Sequence, residues 1–399
     1  MSESTIGIIM NGVSGRMGYR QHLVRSILAI REQGGIELSD GRRVQVEPLL
    51  VGRNEAKLAE IAARHGLDHY TTDLDAALAD DRWQIYSDFL VTKARASALR
   101  KAIAAGKAIY TEKPTAETFE EALELALLAD EAGIKNGVVH DKLYLPGLRK
   151  LRRLIDSGFF GRILSVRGEF GYWVFEGDWM PAQRPSWNYR TEDGGGIIVD
   201  MFPHWNYVLE YLFGRVESVY ARAVTEIPER VDEQGKRYKA TADDAAYAVF
   251  DLAGGITAQL NSSWTTRVNR DELVEFQVDG THGSAVVGLF GCKIQPRNAT
   301  PRPTWNPDVP DAHDYAADWH EVPSLDLSGT EAFENGFKVQ WEEFLRHVLE
   351  DAPFPYDLLS GARGVLMAQK GLESSKTGAR VDIPEVTAEN LRELSGVVR

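Results

Sequence analysis

Short apolar runs alternate with longer amphipathic segments through the first third of the chain. The apolar runs predict five buried strands, at Ile6–Met10, Val46–Val51, Trp83–Leu90, Ala108–Thr111 and Lys135–His140. The segments between them have helical periodicity, at Met17–Arg31, Ala56–His65, Ala94–Ala105 and Phe119–Ala132. Strands that alternate with helices favour a doubly wound parallel sheet, which binds ligands at the carboxyl ends of its strands.

The rest of the chain has longer stretches in which apolar and polar residues alternate. They predict strands at Ile163–Tyr172, Val216–Ile227, Ala245–Leu252, Ile256–Trp264, Leu273–Val278 and Ser284–Leu289. Glycine-bearing turns between several of them favour an antiparallel meander. Further helices are predicted at Leu148–Ile155, Ile197–Phe213, Val339–Leu349 and Leu358–Ser374, and a proline-rich surface loop at Arg297–Pro310. We therefore expect an α/β domain over residues 1–143 and an α+β domain with a large open, mainly antiparallel sheet over residues 144–399.

Three glycines spaced by three residues follow the first predicted strand. Gly12, Gly15 and Gly18 separate this strand from a helical segment. This layout brings backbone N–H groups to a pyrophosphate at a helix N-terminus. Because the spacing departs from G-x-G-x-x-G, an ordinary tight turn remains an alternative. If the loop binds a dinucleotide, the cofactor-binding residues are Asn11, Gly12, Val13, Ser14, Gly15, Arg16 and Met17.

A triple glycine at residues 194–196 precedes an apolar segment that carries Asp200 and His204 four residues apart. If the segment is helical, the two side chains project from one face. His204 titrates near neutrality and suits a general base, while Asp200 would orient its ring or complete a proton relay. A helix cap or a buried hydrogen bond is the alternative interpretation of this pair.

Further polar residues follow predicted strands. Lys113 stands between the fourth strand and Pro114, and a residue before proline is kept out of the helical conformation. Lys113 would therefore point in a defined direction at the ligand-binding edge, where a lysine stabilises an alkoxide or transfers a proton. A solvated lysine at the end of a strand is the alternative. Lys142 and Tyr144 follow the fifth strand, at the same edge.

Aromatic residues are concentrated before the triple glycine, where Tyr172, Trp187 and Arg190 lie among other Trp and Tyr residues. Aromatic faces with a guanidinium group suit a polyhydroxylated ligand. Packing of a loop or of a subunit contact explains the same composition equally well.

Composition narrows the possible partners. The 399 residues carry a net charge of −14, which disfavours binding to nucleic acid or to an anionic membrane. We find no signal-peptide pattern and no apolar run long enough to cross a bilayer. The single cysteine, Cys292, excludes an intrachain disulfide and favours the cytoplasm. No group of residues has the spacing of metal ligands, so no metal is expected.

The combination of these motifs, in this order, resembles the Gfo/Idh/MocA family of oxidoreductases. The glycine loop, Glu112-Lys113-Pro114 and the G-G-G-x₃-D-x₃-H run carry the resemblance, as do Gly280-Thr-His-Gly283 and Gln340-Trp-Glu-Glu-Phe. The resemblance implies an N-terminal Rossmann domain and a C-terminal α/β domain whose open sheet often forms the interface of a dimer or tetramer. It also implies NAD(P)-dependent oxidation of a sugar, inositol or related polyol.

The same resemblance implies roles for individual residues. Lys113, Asp200 and His204 match the catalytic positions, and Lys113 would touch both substrate and nicotinamide. Glu112 and Thr92 would lie near the cofactor. The residues expected to bind substrate are Lys113, Lys142, Tyr144, Tyr172, Trp187, Arg190, Asp200 and His204.

The chain departs from the family pattern after its second and third strands. The second strand ends in Val51-Gly52-Arg53-Asn54, with no acid to hold both ribose hydroxyls. Arg53 is expected instead to pair with a 2′-phosphate, which predicts NADP(H), with NAD(H) as the alternative. Arg95 lies in the stretch where many members have a Thr-Pro pair and a later His, which puts the contacts on the nicotinamide side in doubt.

The resulting hypothesis is hydride transfer between a sugar-like carbinol and nicotinamide. His204 removes the hydroxyl proton, Lys113 stabilises the alkoxide, and Asp200 holds His204 or Lys113 in place. Two alternatives stay open: a redox-neutral, glycosidase-type or lyase-type reaction that uses the dinucleotide transiently, and a non-catalytic sensor of dinucleotides.

Overall fold

The computed structural model describes residues 4–298, 319–324 and 335–397. The chain divides into two compact units. The first contains the described parts of Met1–Asp141, Asn335–Gln369 and Glu385–Arg399, and the second those of Lys142–Glu334 and Lys370–Pro384. The first boundary lies close to the predicted one. The predicted loop Arg297–Pro310 lies outside the described residues except at its first two positions.

A seven-stranded sheet forms the centre of the first unit, counted over the described residues. Its strands are β1 (Ser4–Asn11), β2 (Ile36–Glu37), β3 (Arg43–Val51), β4 (Tyr70–Thr71), β5 (Ile85–Asp88), β6 (Ala108–Thr111) and β7 (Asn136–Val138). Their order is β2-β3-β1-β5-β6-β7, with β4 beside β3. All pairs are parallel except β2 with β3. The order reverses between β1 and β5, which is where doubly wound sheets bind ligands.

Helices follow these strands, four of them where the sequence predicts helices and one, Leu74–Ala79, that was not predicted. They are α1 (Gly18–Leu28, continued by Ala29–Glu32), α2 (Glu55–His65), α3 (Leu74–Ala79), α4 (Thr92–Ala104) and α5 (Phe119–Glu131). Gly18–Leu28 is more widely wound than an α-helix and has i→i+5 hydrogen bonding. This winding was not predicted, because apolar spacing does not separate the two kinds of helix over three turns.

The C-terminal helices belong largely to the first unit, whereas the sequence assigned them to the second domain. These helices are α8 (Gly336–Glu350), α9 (Leu358–Thr377, which crosses from the first unit to the second) and α10 (Leu391–Val397). The reason is apolar packing: Trp341 and Phe344 of α8 are fully buried in the same cluster as Ile8 and Tyr110 of the sheet. Nothing in the sequence indicated that the chain returns to the first unit after the second, so the C-terminal helices were assigned by their position alone.

A nine-stranded sheet forms the second unit, again counted over the described residues. Its strands are β8 (Ile163–Gly171), β9 (Val216–Val224), β12 (Ala245–Leu252), β13 (Ile256–Ser263), β14 (Val274–Gly280), β15 (Gly283–Val287), β16 (Cys292–Pro296), β17 (His320–Glu321) and β18 (Val381–Asp382). β10 (Glu229–Val231) and β11 (Arg237–Lys239) form a separate hairpin. The sheet is mainly antiparallel, as expected.

The strand order corrects the predicted meander. It runs β17-β16-β15-β14-β8-β13-β12-β9-β18, so β8 lies between β13 and β14 and pairs in parallel with β13. The glycine turns correctly identify the hairpins β12–β13 and β14–β15. No tight turn joins β13 to β14, and the sequence therefore did not show that another strand separates them.

Two helices, α6 (Pro146–Asp156) and α7 (Ile197–Leu212), belong to the second unit. Trp205 of α7 packs edge-on against Phe170 of β8 and Phe276 of β14, with ring centroids 6.0 and 5.8 Å apart. The sheet residues Tyr220 and Tyr247 are instead exposed. α7 thus covers one face of the sheet and is anchored there by aromatic contacts. No helix of the described segments has the length and apolar character that a membrane span requires.

Candidate active site

The glycine loop makes its turn at Gly12. Gly12 has φ +81°, and a Cβ there would lie 3.0 Å from the Phe89 main chain. Its N–H donates to the Val51 carbonyl at 3.0 Å, and its carbonyl accepts from Gly15 N–H at 3.0 Å. Asn11 is buried and donates from Nδ2 to the Tyr86 hydroxyl at 2.9 Å. A side chain at position 12 would therefore be strained by the positive φ and crowded against the Phe89 main chain.

The residues after this turn fit the pyrophosphate of a dinucleotide. Arg16 and Met17 are already helical and run directly into Gly18–Leu28, and the Tyr19 N–H donates to the Gly15 carbonyl at 2.8 Å, so the helix starts at the glycine loop. Its first N–H groups therefore suit an anion. Val13 is buried and fixes the loop to the core, Ser14 is half-buried, and Gly15 and Arg16 are exposed.

The end of β3 adds a cation beside the glycine loop. A Cβ on Gly52 would lie 3.8 Å from Ser14 Oγ, so the two loops are neighbours. Arg53 is exposed. Asn54 caps α2, because its side-chain oxygen accepts from Lys57 N–H at 3.0 Å. Asn54 is thus used in a helix cap, whereas the exposed Arg53 lies beside the glycine loop and has no part in the cap.

Lys113 follows β6 in a loop that also contains the buried residues Glu112 and Thr115. The Lys113–Pro114 peptide bond is cis. Glu112 is buried and receives hydrogen bonds from His22 at 2.8 Å and from the Lys113 N–H at 3.2 Å. Burial raises the pKa of Glu112, but the His22 hydrogen bond and the nearby positive charges outweigh it and lower the pKa overall. The loop therefore contains a buried carboxylate directly before Lys113.

Arg95 lies where the family pattern has other residues, and it contacts the same loop. Its guanidinium donates to the Pro114 carbonyl and to the Leu90 carbonyl, and it pairs with Asp88 at 3.3 Å. Burial raises the pKa of Asp88 despite this ion pair. Thr92, a predicted cofactor contact, begins the helix that carries Arg95. The departure noted in the sequence thus places a buried arginine against the Lys113-Pro114 segment.

In the second unit, the protein itself occupies the start of α7. Gly196 has φ +133°, and a Cβ there would lie 2.6 Å from Asp243 Oδ1. The Asp243 carboxylate accepts from Ile198 N–H at 2.9 Å, and its carbonyl accepts from Ile197 N–H at 2.9 Å. The lack of a side chain at Gly196 thus leaves room for Asp243 at the start of α7. A carboxylate is stabilised there by the free N–H groups and by the helix dipole.

Asp200, in the first turn of α7, forms an ion pair with Arg184 at 2.9 Å. The Arg184 guanidinium lies over two aromatic rings, 5.1 Å from the Phe175 centroid and 4.8 Å from that of Trp264. Both side chains are about one-fifth exposed. An arginine in contact with two aromatic rings has few alternative positions, so it fixes the carboxylate.

His204, one turn further along α7, is 6% exposed. Its Nδ1 lies 2.6 Å from the Tyr207 hydroxyl. The Lys142 ammonium lies 3.3 Å from His204 Nδ1 and 3.2 Å from Nε2. An ammonium group donates and does not accept, so its bond to the ring needs an unprotonated nitrogen. A neutral imidazole has one such nitrogen, and the neutral form is the one that acts as a general base.

The four other residues predicted to contact substrate differ in their exposure and in their neighbours. Tyr144 is buried, with the Arg149 guanidinium 5.5 Å from its ring centroid. Tyr172 is half-buried, and Trp187 is 39% exposed. Arg190 stacks on Tyr238 at 4.4 Å. The part of these four residues in substrate binding stays a prediction.

Sequence reasoning assigned no role to four residues that contact the predicted ones or the Lys113-Pro114 segment. They are His22, Arg95, Arg184 and Tyr207. Tyr207 had a signal, since it stands three residues after His204 on a predicted helix. Arg184 lies in the aromatic stretch that was singled out, although Arg190 was chosen there. His22 had no local signal, because Glu112 is 90 residues away. Arg95 was noted only as a departure from the family pattern, and nothing local indicated its contact with Pro114, 19 residues away.

Fold and geometry define a two-domain oxidoreductase class: a parallel sheet with a glycine loop at its switch point, and a mainly antiparallel sheet with an Asp/His helix. Two family models match the chain, "Oxidoreductase family, NAD-binding Rossmann fold" over residues 10–140 and "GFO/IDH/MocA C-terminal domain" over residues 148–286. The chain belongs to the Gfo/Idh/MocA family of oxidoreductases, whose N-terminal domain is an NAD-binding Rossmann fold.

Individual relatives agree with this assignment. The chain is 59% identical to D-xylose dehydrogenase of Paenarthrobacter nicotinovorans, over 96% of this chain and 98% of that protein. It is 23% identical to levoglucosan dehydrogenase of Pseudarthrobacter phenanthrenivorans, over 86% of this chain and 91% of that protein. A solved structure of levoglucosan dehydrogenase in complex with NADH and L-sorbose has the same fold, with a TM-score of 0.76 at 22% identity, over 97% of this chain and 100% of that one.

Proposed function

We propose that the chain is a sugar dehydrogenase that oxidises D-xylose or a closely similar aldose with a nicotinamide dinucleotide. Identity of 59% to D-xylose dehydrogenase over almost the whole of both chains supports the substrate class. The observation that carries the reaction type is His204, a buried imidazole between the Tyr207 hydroxyl and the Lys142 ammonium. Such an environment suits removal of a proton from a sugar hydroxyl.

Each catalytic group has one task in this proposal. The dinucleotide, when bound, accepts the hydride from the carbinol carbon. His204 takes the hydroxyl proton, and Lys113 stabilises the negative charge that develops on oxygen. Asp200, held by Arg184, positions the sugar or the base. Lys142, Tyr144, Tyr172, Trp187 and Arg190 are proposed to bind substrate, and residues 11–17, 52–54, Thr92 and Glu112 to bind the cofactor.

We propose a preference for NADP(H) over NAD(H). Arg53 supports it, because an exposed guanidinium beside the glycine loop is suited to a 2′-phosphate. The test is Arg53→Ala, with the equally exposed Arg82→Ala as control, in titrations followed by nicotinamide fluorescence. The NADPH/NADH affinity ratio is expected to fall about tenfold or more in Arg53→Ala alone. An unchanged ratio contradicts the preference.

We also propose that the protein assembles as a dimer or tetramer through the outer face of the second sheet. Tyr220, Tyr247 and Val249 are 46%, 44% and 39% exposed on neighbouring strands of this face. Exposed apolar surface of this kind favours association. Light scattering of the wild type and of Tyr247→Lys should give different masses. A wild-type protein that remains monomeric at high concentration contradicts the proposal.

The central experiment is an assay of the purified chain with D-xylose, levoglucosan and a panel of polyols, with NADP⁺ and NAD⁺ in parallel. We expect D-xylose-dependent formation of reduced nicotinamide, with L-xylose as the matched control. Sugar conversion without net formation of reduced cofactor identifies the redox-neutral alternative. Tight dinucleotide binding without conversion of any sugar identifies the sensor.

A further inference from the structure

A chain of three buried side chains ends at the residue before Lys113. The Trp341 indole Nε1 lies 3.0 Å from His22 Nδ1, and His22 Nε2 lies 2.8 Å from Glu112 Oε1. The second carboxylate oxygen, Oε2, accepts the Lys113 N–H at 3.2 Å. His22 is fully buried, and all four residues belong to the first unit. The function proposed above uses Lys113 and assigns no role to His22 or Trp341.

The donors and acceptors of this chain fix the tautomer of His22. An indole N–H only donates, so His22 Nδ1 must accept and carries no proton. The proton of the neutral ring is then on Nε2 and points at Glu112. Glu112 is the acceptor in turn, because the imidazole Nε2–H and the Lys113 backbone N–H both donate to it, which is the pattern of an ionised carboxylate. Both of its oxygens are hydrogen-bonded, as a buried carboxylate requires.

The ring of His22 is also fixed by packing. It stacks on Phe89, with ring centroids 4.2 Å apart, and meets Phe337 edge-on at 5.1 Å. Phe89 is the residue whose main chain excludes a side chain at Gly12. His22 itself is carried by α1, the helix that begins after the glycine loop. One helix therefore connects the predicted pyrophosphate site to the Lys113 loop.

The other side of the loop is held by Arg95, which donates to the Pro114 carbonyl. The N–H of Lys113 and the carbonyl of Pro114 are thus both bound to buried side chains. A lysine that acts at a reacting oxygen must be held closely, because misplacement by about 1 Å costs on the order of 100-fold in rate. Anchoring of the main chain on both sides of the Lys113 Cα contributes to this requirement.

We propose that His22 is a positioning residue for Lys113, acting through the Glu112 carboxylate in the tautomer that Trp341 imposes. The inference rests on the proposed function, in which Lys113 acts on the substrate oxygen. Its consequence is a defined pattern of effects. Loss of the Nε2 donor displaces the Lys113 loop and lowers kcat, while the glycine loop retains its affinity for the dinucleotide.

The test compares His22→Leu, which has neither donor nor acceptor, with His22→Gln, whose amide replaces both. Phe344→Leu is the matched control, because this buried ring packs beside Trp341 in the same cluster. We expect kcat to fall about 10- to 100-fold in His22→Leu and to recover most of this loss in His22→Gln. The dissociation constant of the reduced dinucleotide should change less than kcat. Phe344→Leu should lower the melting temperature and leave kcat near the wild-type value.

A second readout does not depend on turnover. Long-range proton–nitrogen spectra of histidine-labelled protein, with His22 assigned by its loss in His22→Gln, should show a neutral ring protonated at Nε2. Trp341→Phe removes the Nδ1 donor and should alter this signature. A doubly protonated or Nδ1-protonated ring overturns the inference, whatever the activity.

Lys113→Ala separates this inference from the proposed function. If Lys113→Ala is inactive and His22→Leu keeps wild-type kcat, the positioning role of His22 is wrong and the role of Lys113 stands. If Lys113→Ala retains wild-type kcat, the proposed role of Lys113 is wrong, and the role of His22 in positioning it is wrong with it.

Discussion

The two units hold their candidate catalytic groups in different ways. In the first, the main chain around Lys113 is bound by buried groups, through Glu112 on one side and Arg95 on the other. In the second, the side chains of Asp200 and His204 are themselves bound by other side chains. Main-chain anchoring fixes the point from which a long, flexible side chain starts. Side-chain contacts instead fix the protonation and direction of the reacting group itself.

The largest effect should follow from a change in the second unit, where the group that moves the proton is changed directly. We expect His204→Ala to lower kcat by about 10²- to 10⁴-fold, the usual contribution of a general base. His282→Ala, at an exposed position in the β14–β15 hairpin, is the matched control. Steady-state kinetics with D-xylose measures both. A His204→Ala enzyme with wild-type kcat would show that another residue takes the proton.

The comparison also explains what the sequence predicted. Gly12 and the Asp200/His204 pair could be proposed from the sequence because their patterns are local: a turn after a strand, and two positions on one helix face. The resemblance to the Gfo/Idh/MocA family correctly predicted a Rossmann domain followed by a domain with a large open sheet. The contacts of Arg184 with Asp200 and of Arg95 with the Pro114 carbonyl were not predicted, because a contact between two different elements leaves no periodic signal.

Two fold features were also beyond local reasoning. The return of α8 to the first unit depends on burial of Trp341 with residues more than 200 positions earlier in the chain. The position of β8 between β13 and β14 depends on which strands pair, which alternation alone does not specify. The sequence therefore predicted most of the longer elements and the local motifs, whereas short elements such as α3 and β2 were missed and pairing between remote segments was not predicted.

The next effect belongs to the first unit and tests main-chain geometry directly. Gly12→Ala adds a Cβ at φ +81°, 3.0 Å from the Phe89 main chain. Conformational strain costs about 1–3 kcal/mol, and the close contact adds to it. We expect dinucleotide affinity to fall about 10- to 100-fold, measured by nicotinamide fluorescence.

Gly41→Ala is the matched control for Gly12→Ala. Gly41 has φ +82°, and nothing lies within 4 Å of the place that a Cβ would take, so this variant carries the same strain without the contact. It should lower the melting temperature and leave the dissociation constant unchanged. Equal loss of affinity in both variants would mean that general destabilisation, and not the loop, explains the result.

A smaller effect should come from the ion pair that fixes Asp200. Arg184→Gln removes the charge that lies 2.9 Å from the carboxylate and contacts two aromatic rings. A hydrogen bond to a charged group contributes about 1.5–3 kcal/mol, and partial exposure reduces this value. We expect kcat/KM for the sugar to fall about tenfold. Arg267→Gln, whose partners are Glu176 and Asp178, is the control and should leave kcat/KM unchanged.

The smallest effect should be that of Tyr207, which orients His204 and does not itself move the substrate proton in the proposed mechanism. Tyr207→Phe removes the hydroxyl 2.6 Å from His204 Nδ1 and keeps the ring. Lys142 still contacts the imidazole, so the ring retains one partner. Loss of one hydrogen bond of about 0.5–1.5 kcal/mol predicts a two- to tenfold lower kcat with little change in KM. Tyr211→Phe, one turn further along α7, is the control. A loss in Tyr207→Phe as large as that in His204→Ala would contradict the division between orienting and reacting groups, and would make the Tyr207 hydroxyl part of the proton path.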